Sequence, residues 1–365
     1  MPHGSTGFFP TAFDVRLLHL RHSHLLVHWS GGAALKLNHT IMTSIGRPAL
    51  PEDSTSTHTG KTAPQPKVSI IMLVWNSCEV TRDCLLSLRK LDYPAYEVIL
   101  VDNGSIDSSG ANLAREFPEV KYIRNEQNLG FTGGNNVGMR DALGRGADYL
   151  LLLNYDTIVS PNFLAEMIRV AESDSGIGML NPKIYYYEPP DTIWYAGGKY
   201  VPWKTFPVHF GLRQHDDGRY DQTQEVSFVT GCALLVRAET ARKIGLLDET
   251  FFLSYEDVDW SARAIKAGYK AVYAPASVIW HRDSYDTKRN AGLAKRDFYN
   301  MRNAVLCARK HLPFYQIPLF AFSMATYIGY ITLKALKQAD FKHAAAIYRG
   351  IWSGCWTTIP ESIPS

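Results

Sequence analysis

Apolar residues over 67–156 fall into short continuous runs separated by amphipathic stretches, the pattern of doubly buried strands alternating with helices. Residues 67–74 (Lys-Val-Ser-Ile-Ile-Met-Leu-Val) predict a first strand. Residues 81–91 carry apolar side chains at helical spacing, and residues 96–101 predict a second strand running into Asp102-Asn103-Gly104-Ser105. Strand, helix and strand at this spacing form a right-handed parallel unit. Helix is next expected over 111–117 and strand over 121–124. A glycine-rich stretch, 128–136 (Asn-Leu-Gly-Phe-Thr-Gly-Gly-Asn-Asn), then leads into a helix through Leu143. Such glycines let backbone approach a ligand closely, and amides at a helix start favour phosphate oxygens, although the spacing is not that of a Walker loop.

Two acidic clusters stand out, roughly a hundred residues apart. Residues 150–157 (Leu-Leu-Leu-Leu-Asn-Tyr-Asp-Thr) read as a buried strand with a polar triplet at its carboxyl end, where open α/β sheets bind ligands. Asp156 at that tip suits Mg²⁺ or Mn²⁺, which take hard oxygen ligands and keep waters and substrate phosphates in their coordination shell. The same residues also fit a plain turn, with Ser160 as N-cap and Pro161 opening the next helix. The second cluster, 255–260 (Tyr-Glu-Asp-Val-Asp-Trp), begins a segment that reads as a helix closed by Gly268. Its acids lie in the first turn, where carboxylates also serve as ordinary caps.

Residues 68–77, 101–105, 128–138, 153–157, 230–233 and 256–260 together resemble, in order and spacing, the motifs of the family 2 inverting glycosyltransferases, most of all the rhamnosyltransferase-like branch. The similarity covers about residues 67–309. It implies an α/β GT-A fold, with a mostly parallel sheet flanked by helices and a nucleotide-binding half (67–156) preceding an acceptor half (157–308). By the same resemblance Trp75 faces the nucleobase, Asp102 hydrogen-bonds base or ribose, and Asn76, Asn128, Gly134 and Asn135 belong to the nucleotide-sugar side. Asn154 and Asp156 occupy the metal-binding triplet; the first position is usually Asp, so Asp156 is its only carboxylate here. His281, after an apolar run over 271–280, matches a histidine near the metal and diphosphate. Asp257 matches the catalytic base, Glu256 and Asp259 position it or meet acceptor hydroxyls, and Gly231 and Trp260 lie on the acceptor side. Inversion needs one carboxylate to take the acceptor proton, while a cation and nearby donors stabilise the leaving diphosphate.

Residues 230–237 predict a strand entered through glycine, with Cys232 a small packed side chain. The stretch 185–226 is rich in aromatic and turn-forming residues, including Trp194 and Trp203, which suit either sugar stacking or a loop core. Hydrophobic residues make up 46% of the 365, enough for one large domain with appendages. The five cysteines show no paired metal-ligand spacing and fit a reducing cytosol. Residues 1–66 depart from this pattern: six of twelve histidines fall in the first 39 positions, and 51–66 read as a disordered linker. We expect a start at Met42, the preceding residues being an extension of the reading frame.

From Arg282 to Arg349 twelve Lys and Arg face four acids, in a chain whose total is only +3. Inside this basic region, 312–333 lacks any charged residue. That length permits a membrane span, but Pro313 and Pro318 confine a helix to about 319–336, and hydroxyl-bearing residues dilute it. Residues 309–365 are therefore expected to form a helical extension lying in the membrane interface, with basic flanks attracted to anionic lipid. No base-stacking or groove-reading module accompanies the charge, which argues against nucleic acid.

A transferase on the cytoplasmic face of a bacterial-type plasma membrane would draw a soluble nucleotide-sugar and meet a polyprenyl-diphosphate-linked glycan. The resemblance makes dTDP-rhamnose the leading donor; UDP- and GDP-sugars are the alternatives. A sugar nucleotidyltransferase would carry a glycine- and arginine-rich loop with lysine after the first strand, where this chain has Val74-Trp75-Asn76-Ser77. A catalytically silent glycan- or lipid-binding protein would have no need to keep Asp156, Asp257 and His281 together.

Overall fold

A computed structural model of the protein describes residues 65–283 and 293–360. The expectations for the histidine-rich segment, the start at Met42 and all but the end of the 51–66 linker fall outside the described residues.

The first strand, β1 (Val68–Val74), pairs in parallel with β2 (Tyr96–Asp102) and β4 (Tyr149–Leu153), and β2 pairs in parallel with β3 (Lys121–Arg124). The connecting helices are α1 (Glu79–Leu88), α2 (Ser109–Glu116) and α3 (Gly130–Gly144). Each residue of Leu150–Leu153 is at most 2% exposed, as an uninterrupted leucine run between two sheet faces requires. The glycine-rich stretch is part of α3, not a loop ahead of it. Glycine is needed there for packing: a Cβ on Gly134 would stand 2.4 Å from Leu73, and one on Gly138 would stand 2.6 Å from Ile71.

Beyond β4 the chain makes β5 (Thr157–Val159), α4 (Phe163–Glu172), β6 (Ile177–Tyr186), β7 (Ile193–Tyr195) and a small hairpin, β8 (Gly198–Lys199) with β9 (Val208–His209). Next come β10 (Gln224–Val226), β11 (Ala233–Arg237), α5 (Ala238–Ile244), α6 (Glu256–Lys266) and β12 (Lys270–His281). Ser160 and Pro161 do not begin α4, because 157–159 are drawn into the sheet as β5 and the helix starts only after Asn162.

The sheet order is β10-β12-β6-β11-β4-β1-β2-β3, with β5 on β12 and β7 on β6. β11 lies between β4 and β6 and runs antiparallel to both. The carboxyl ends of β1, β2, β4 and β12 and the amino end of β11 therefore converge on one edge.

Three helices follow: α7 (Leu293–His311), α8 (Ile317–Gln338), entered through a 3₁₀ turn at Phe314–Gln316, and α9 (Phe341–Trp356). Pro318 sits in the first turn of α8, where its missing N–H costs nothing. The expected boundary at 308/309 falls inside α7, and α7 packs both on α6 and along α9. Residues 309–311 are thus continuous with a helix that packs on α6. Met324 of α8 and Ile347 of α9 join Met301 and Val305 of α7 in a small second core.

Candidate active site

A cavity of about 300 Å³ opens at the convergent edge, within the range of small-ligand sites. Trp75, one residue past β1, and Asn128, Gly130 and Asn135 from the start of α3 line one side. Asp102 is not among the lining residues. Its side chain is fully buried, with Oδ1 accepting from the Ser105 amide and Oδ2 from the Tyr122 hydroxyl, so it braces the end of β2 from inside the fold. The next residue, Asn103, lines the cavity instead. Its Nδ2 donates to Asn128 Oδ1 and the Gly130 carbonyl, while its Oδ1 accepts from Asn125 and the Leu129 amide. Asn76 is likewise a brace: in the left-handed region at φ 51°, it accepts from the Ile106 amide. Gly134 faces Leu73 and does not line the cavity.

Asn154, Asp156 and His281 line the cavity as well. Their meeting follows from register, since Thr157 of β5 pairs with His281 of β12 and sets Asp156 beside that strand end. His281 Nε2 lies 3.2 Å from Asp156 Oδ1, and the Arg282 amide donates to the Asp156 carbonyl. Trp194 stands edge-on to His281 with 4.9 Å between ring centroids, so this tryptophan packs the histidine. Burial alone would lower the His281 imidazole; Cys232 and Asp156 against it raise it well above its usual value. One carboxylate, with an imidazole that must give up its proton before it can ligate, fits a divalent cation that fills its remaining positions with phosphate and water. No group of three acidic, histidine or cysteine ligands exists among the described residues.

The acids of α6 divide. Asp257 Oδ2 accepts from the Gly231 amide at 2.9 Å and Oδ1 from its neighbour Val258 at 2.8 Å. One residue on, the Cys232 carbonyl accepts from the Asn154 amide at 2.9 Å. Residues 231 and 232 thus bridge Asp257 to the Asn154–Asp156 wall over about one 3.8 Å Cα step. Asp257 itself does not line the cavity; it follows in the chain after Phe252, Leu253 and Ser254, which do. Burial holds the neighbouring Glu256 carboxyl well above the carboxylate range, with Asp257 adding to the effect. Burial raises Asp257 too, but the Gly231 and Val258 amides pull it back, so Asp257 is the more acidic of the pair.

A glycosyl transferase family 2 model matches residues 69–245, through β11 and α5. The chain belongs to family 2 of the glycosyltransferases. Its relatives are rhamnosyltransferase-like: it is 25% identical over 259 residues to N-acetylglucosaminyl-diphospho-decaprenol L-rhamnosyltransferase of Mycobacterium tuberculosis, covering 64% of this chain and 82% of that one. It is also 25% identical over 224 residues to dTDP-rhamnosyl transferase RfbF of Shigella flexneri, covering 59% and 72%. Among solved structures, GalNAc-T7 with UDP, GalNAc and Mn²⁺ aligns with a TM-score of 0.54 and 16% identity, over 68% of this chain but only 48% of that one. The enzyme has the GT-A fold, as the motif order implied.

Two residues expected at the transferase site lie elsewhere. Asp259 is fully buried away from the cavity, taking Arg263 Nε at 2.8 Å, Lys310 Nζ at 2.6 Å and His311 Nε2 at 2.8 Å. Trp260 is fully buried and donates to the Gly245 carbonyl, a core residue rather than an acceptor contact. Conversely, Phe131, the 252–254 loop, Lys295 and Arg296 line the cavity of this glycosyltransferase without having been expected there. The two cations arrive on α7, and only the local basic excess pointed toward them.

Burial alone would raise the Asp259 carboxyl, yet His311, Arg263 and Lys310 outweigh it and hold it at about 2. A group depressed in the folded state stabilises above its unfolded pKa, about 3.9, and that stability is lost as pH falls toward 2. Asp259→Ala removes the carboxylate shared by Arg263, Lys310 and His311, leaving Lys310 only Asp248 and Arg263 no carboxylate, and is expected to destabilise the enzyme by roughly 3 kcal/mol or more. Denaturant titration at pH 7 and pH 3 checks this: the deficit should shrink at the lower pH, and an unchanged midpoint at pH 7 would refute the assignment.

Proposed function

We propose that this glycosyltransferase inverts the configuration of the sugar it moves, taking rhamnose from dTDP-rhamnose to a polyprenyl-diphosphate-linked glycan of a cell-wall or surface polysaccharide. The observation that carries the reading is the two-residue bridge, Gly231 on Asp257 and Cys232 on Asn154, which ties the Asp257 carboxyl to the residues that line the cavity at Asn154 and Asp156. Donor and acceptor classes come from the relatives, whose names specify a rhamnosyl donor and a decaprenol-linked acceptor.

In this reading Asp257 takes the proton of an acceptor hydroxyl as its oxygen attacks the anomeric carbon, and the bond to the nucleotide diphosphate breaks on the opposite face. Burial and the neighbouring Asp257 disfavour the charged form of Glu256, which works against a second negative charge beside that base. Trp75, Asn103, Asn128 and Asn135 hold the nucleoside end, while Lys295 and Arg296 face the departing diphosphate. Asp156 and His281, with Asn154 beside them, would hold Mg²⁺ or Mn²⁺, which neutralises charge on the diphosphate.

The acceptor's lipid would bring the enzyme to the cytoplasmic membrane face. Phe314–Gln338 is long and apolar enough to cross a membrane, yet α8 also lays Met324 and Tyr327 onto the catalytic body, and Thr205 bonds Ser323. Phe322 (71% exposed), Trp352 (69%) and Trp356 (72%) face outward on α8 and α9. Aromatic residues beside a basic region suit an interfacial position better than a span.

The test is nucleotide release from dTDP-, UDP- and GDP-sugars, with a polyprenyl-diphosphate glycan in anionic vesicles. Release is expected from dTDP-rhamnose, falling by at least ~10²-fold in Asp257→Asn. Because burial raises Asp257, kcat/KM should decline on the acid side with an apparent pKa above about 3.9, the base being active only when deprotonated. Trp352→Ser with Trp356→Ser should weaken vesicle sedimentation and leave donor hydrolysis intact. Release from UDP- or GDP-sugars alone would replace the donor, full activity of Asp257→Asn would remove the base, and undiminished sedimentation would remove the membrane face.

A further inference from the structure

The loop that leads into α6 has an unusual backbone. Phe252, Ser254 and Tyr255 have φ of 61°, 69° and 68°, in the left-handed region that is strained for a residue with a Cβ. Something outside the loop must hold it there.

Every carbonyl from Thr250 to Ser254 is accounted for. Arg302 Nη2 donates to the carbonyls of Thr250 (2.5 Å) and Phe251 (2.8 Å). The Nδ2 of Asn303, a fully buried side chain, lies 2.8, 2.7 and 2.7 Å from the carbonyls of Phe251, Leu253 and Ser254. Arg302 Nε donates to Asn303 Oδ1, fixing which way the amide points. The remaining carbonyl, of Phe252, accepts from the Phe131 amide at 2.7 Å. Gly130 makes room for that approach, since a Cβ on it would meet the Phe252 oxygen at 2.5 Å. Tyr299, one turn before Asn303 on α7, stacks on the Phe252 ring at 5.0 Å.

The loop does two things at once: Phe252, Leu253 and Ser254 form a cavity wall, and its last residue, Tyr255, precedes Glu256 and Asp257 at the start of α6. We propose that Arg302 and Asn303 are positioning residues for glycosyl transfer, holding this loop in its left-handed form so that the cavity wall and Asp257 keep their relative placement. The role rests on the proposed function of the site, with Asp257 as base. Neither residue touches the cavity, so both act through the loop.

The test compares wild type, Asn303→Ala and Asn303→Ala with Ser254→Gly, at a temperature well below unfolding. Asn303→Ala is expected to lower kcat at saturating donor about 10-fold or more, the scale of a small misplacement near reacting groups. Hydrogen exchange should rise in the peptide covering residues 250–258 and not in the central strands. Ser254→Gly, which removes the Cβ cost of a left-handed residue, should recover part of the lost kcat. Arg302→Lys, keeping the charge and losing the planar fork, is a milder variant expected to lose less in the same sense. An active wild type whose Asn303→Ala variant keeps its kcat, or keeps loop exchange unchanged, overturns the positioning role alone. A folded wild type that turns over no nucleotide-sugar overturns the transferase function and this role with it.

Discussion

β11 runs against β4 and β6, and this reversal delivers the backbone of residues 231 and 232 to an edge otherwise built from strand carboxyl ends. The Gly231 amide is there to meet Asp257, and the Cys232 carbonyl to meet Asn154. A parallel strand in that position would present its carboxyl end, and the element linking α6 to β4 would be absent. The second constraint is the pairing of Thr157 with His281, which carries Asp156 to the end of β12. Both are backbone pairings, so the side chains of the site inherit a geometry that the sheet fixes first.

β1, β2 and β4 were legible because each is a mostly apolar segment of strand length, and β3, though only Lys-Tyr-Ile-Arg, matched its expected limits of 121–124. Asp156 and His281 were legible as individuals from the family motifs. Their contact was not, since β5 is only three residues long and its partner strand lies more than a hundred residues on. Position after β2 was misjudged by one residue. Asp102 and Asn103 are both polar and adjacent, and which of them faces the cavity depends on Tyr122 of β3 and Ser105 claiming the aspartate. The acids of α6 show the same limit: Asp259 and Asp257 are two residues apart, and only the arrival of Lys310 and His311 assigns Asp259 to an internal ion cluster.

α7 is the element that sequence periodicity conveyed least, and it organises much of the molecule. One end presents Lys295 and Arg296 to the cavity, the middle grips the 250–255 loop, and the last turn neutralises Asp259. Its other side packs along α9, where a Cβ on Gly354 would stand 2.5 Å from the Arg302 carbonyl. The helices bearing outward aromatic residues are therefore packed on the same rod that braces the start of α6.

The central proposal is that a single carboxylate, Asp257, serves transfer from a nucleotide-sugar in one displacement. The measurement that reaches it most directly is the NMR anomeric configuration of the transferred sugar in the product, compared with the donor that the enzyme turns over. One displacement requires the opposite configuration at the anomeric carbon. Retained configuration would contradict the account, because it requires either a second displacement or attack from the leaving-group face.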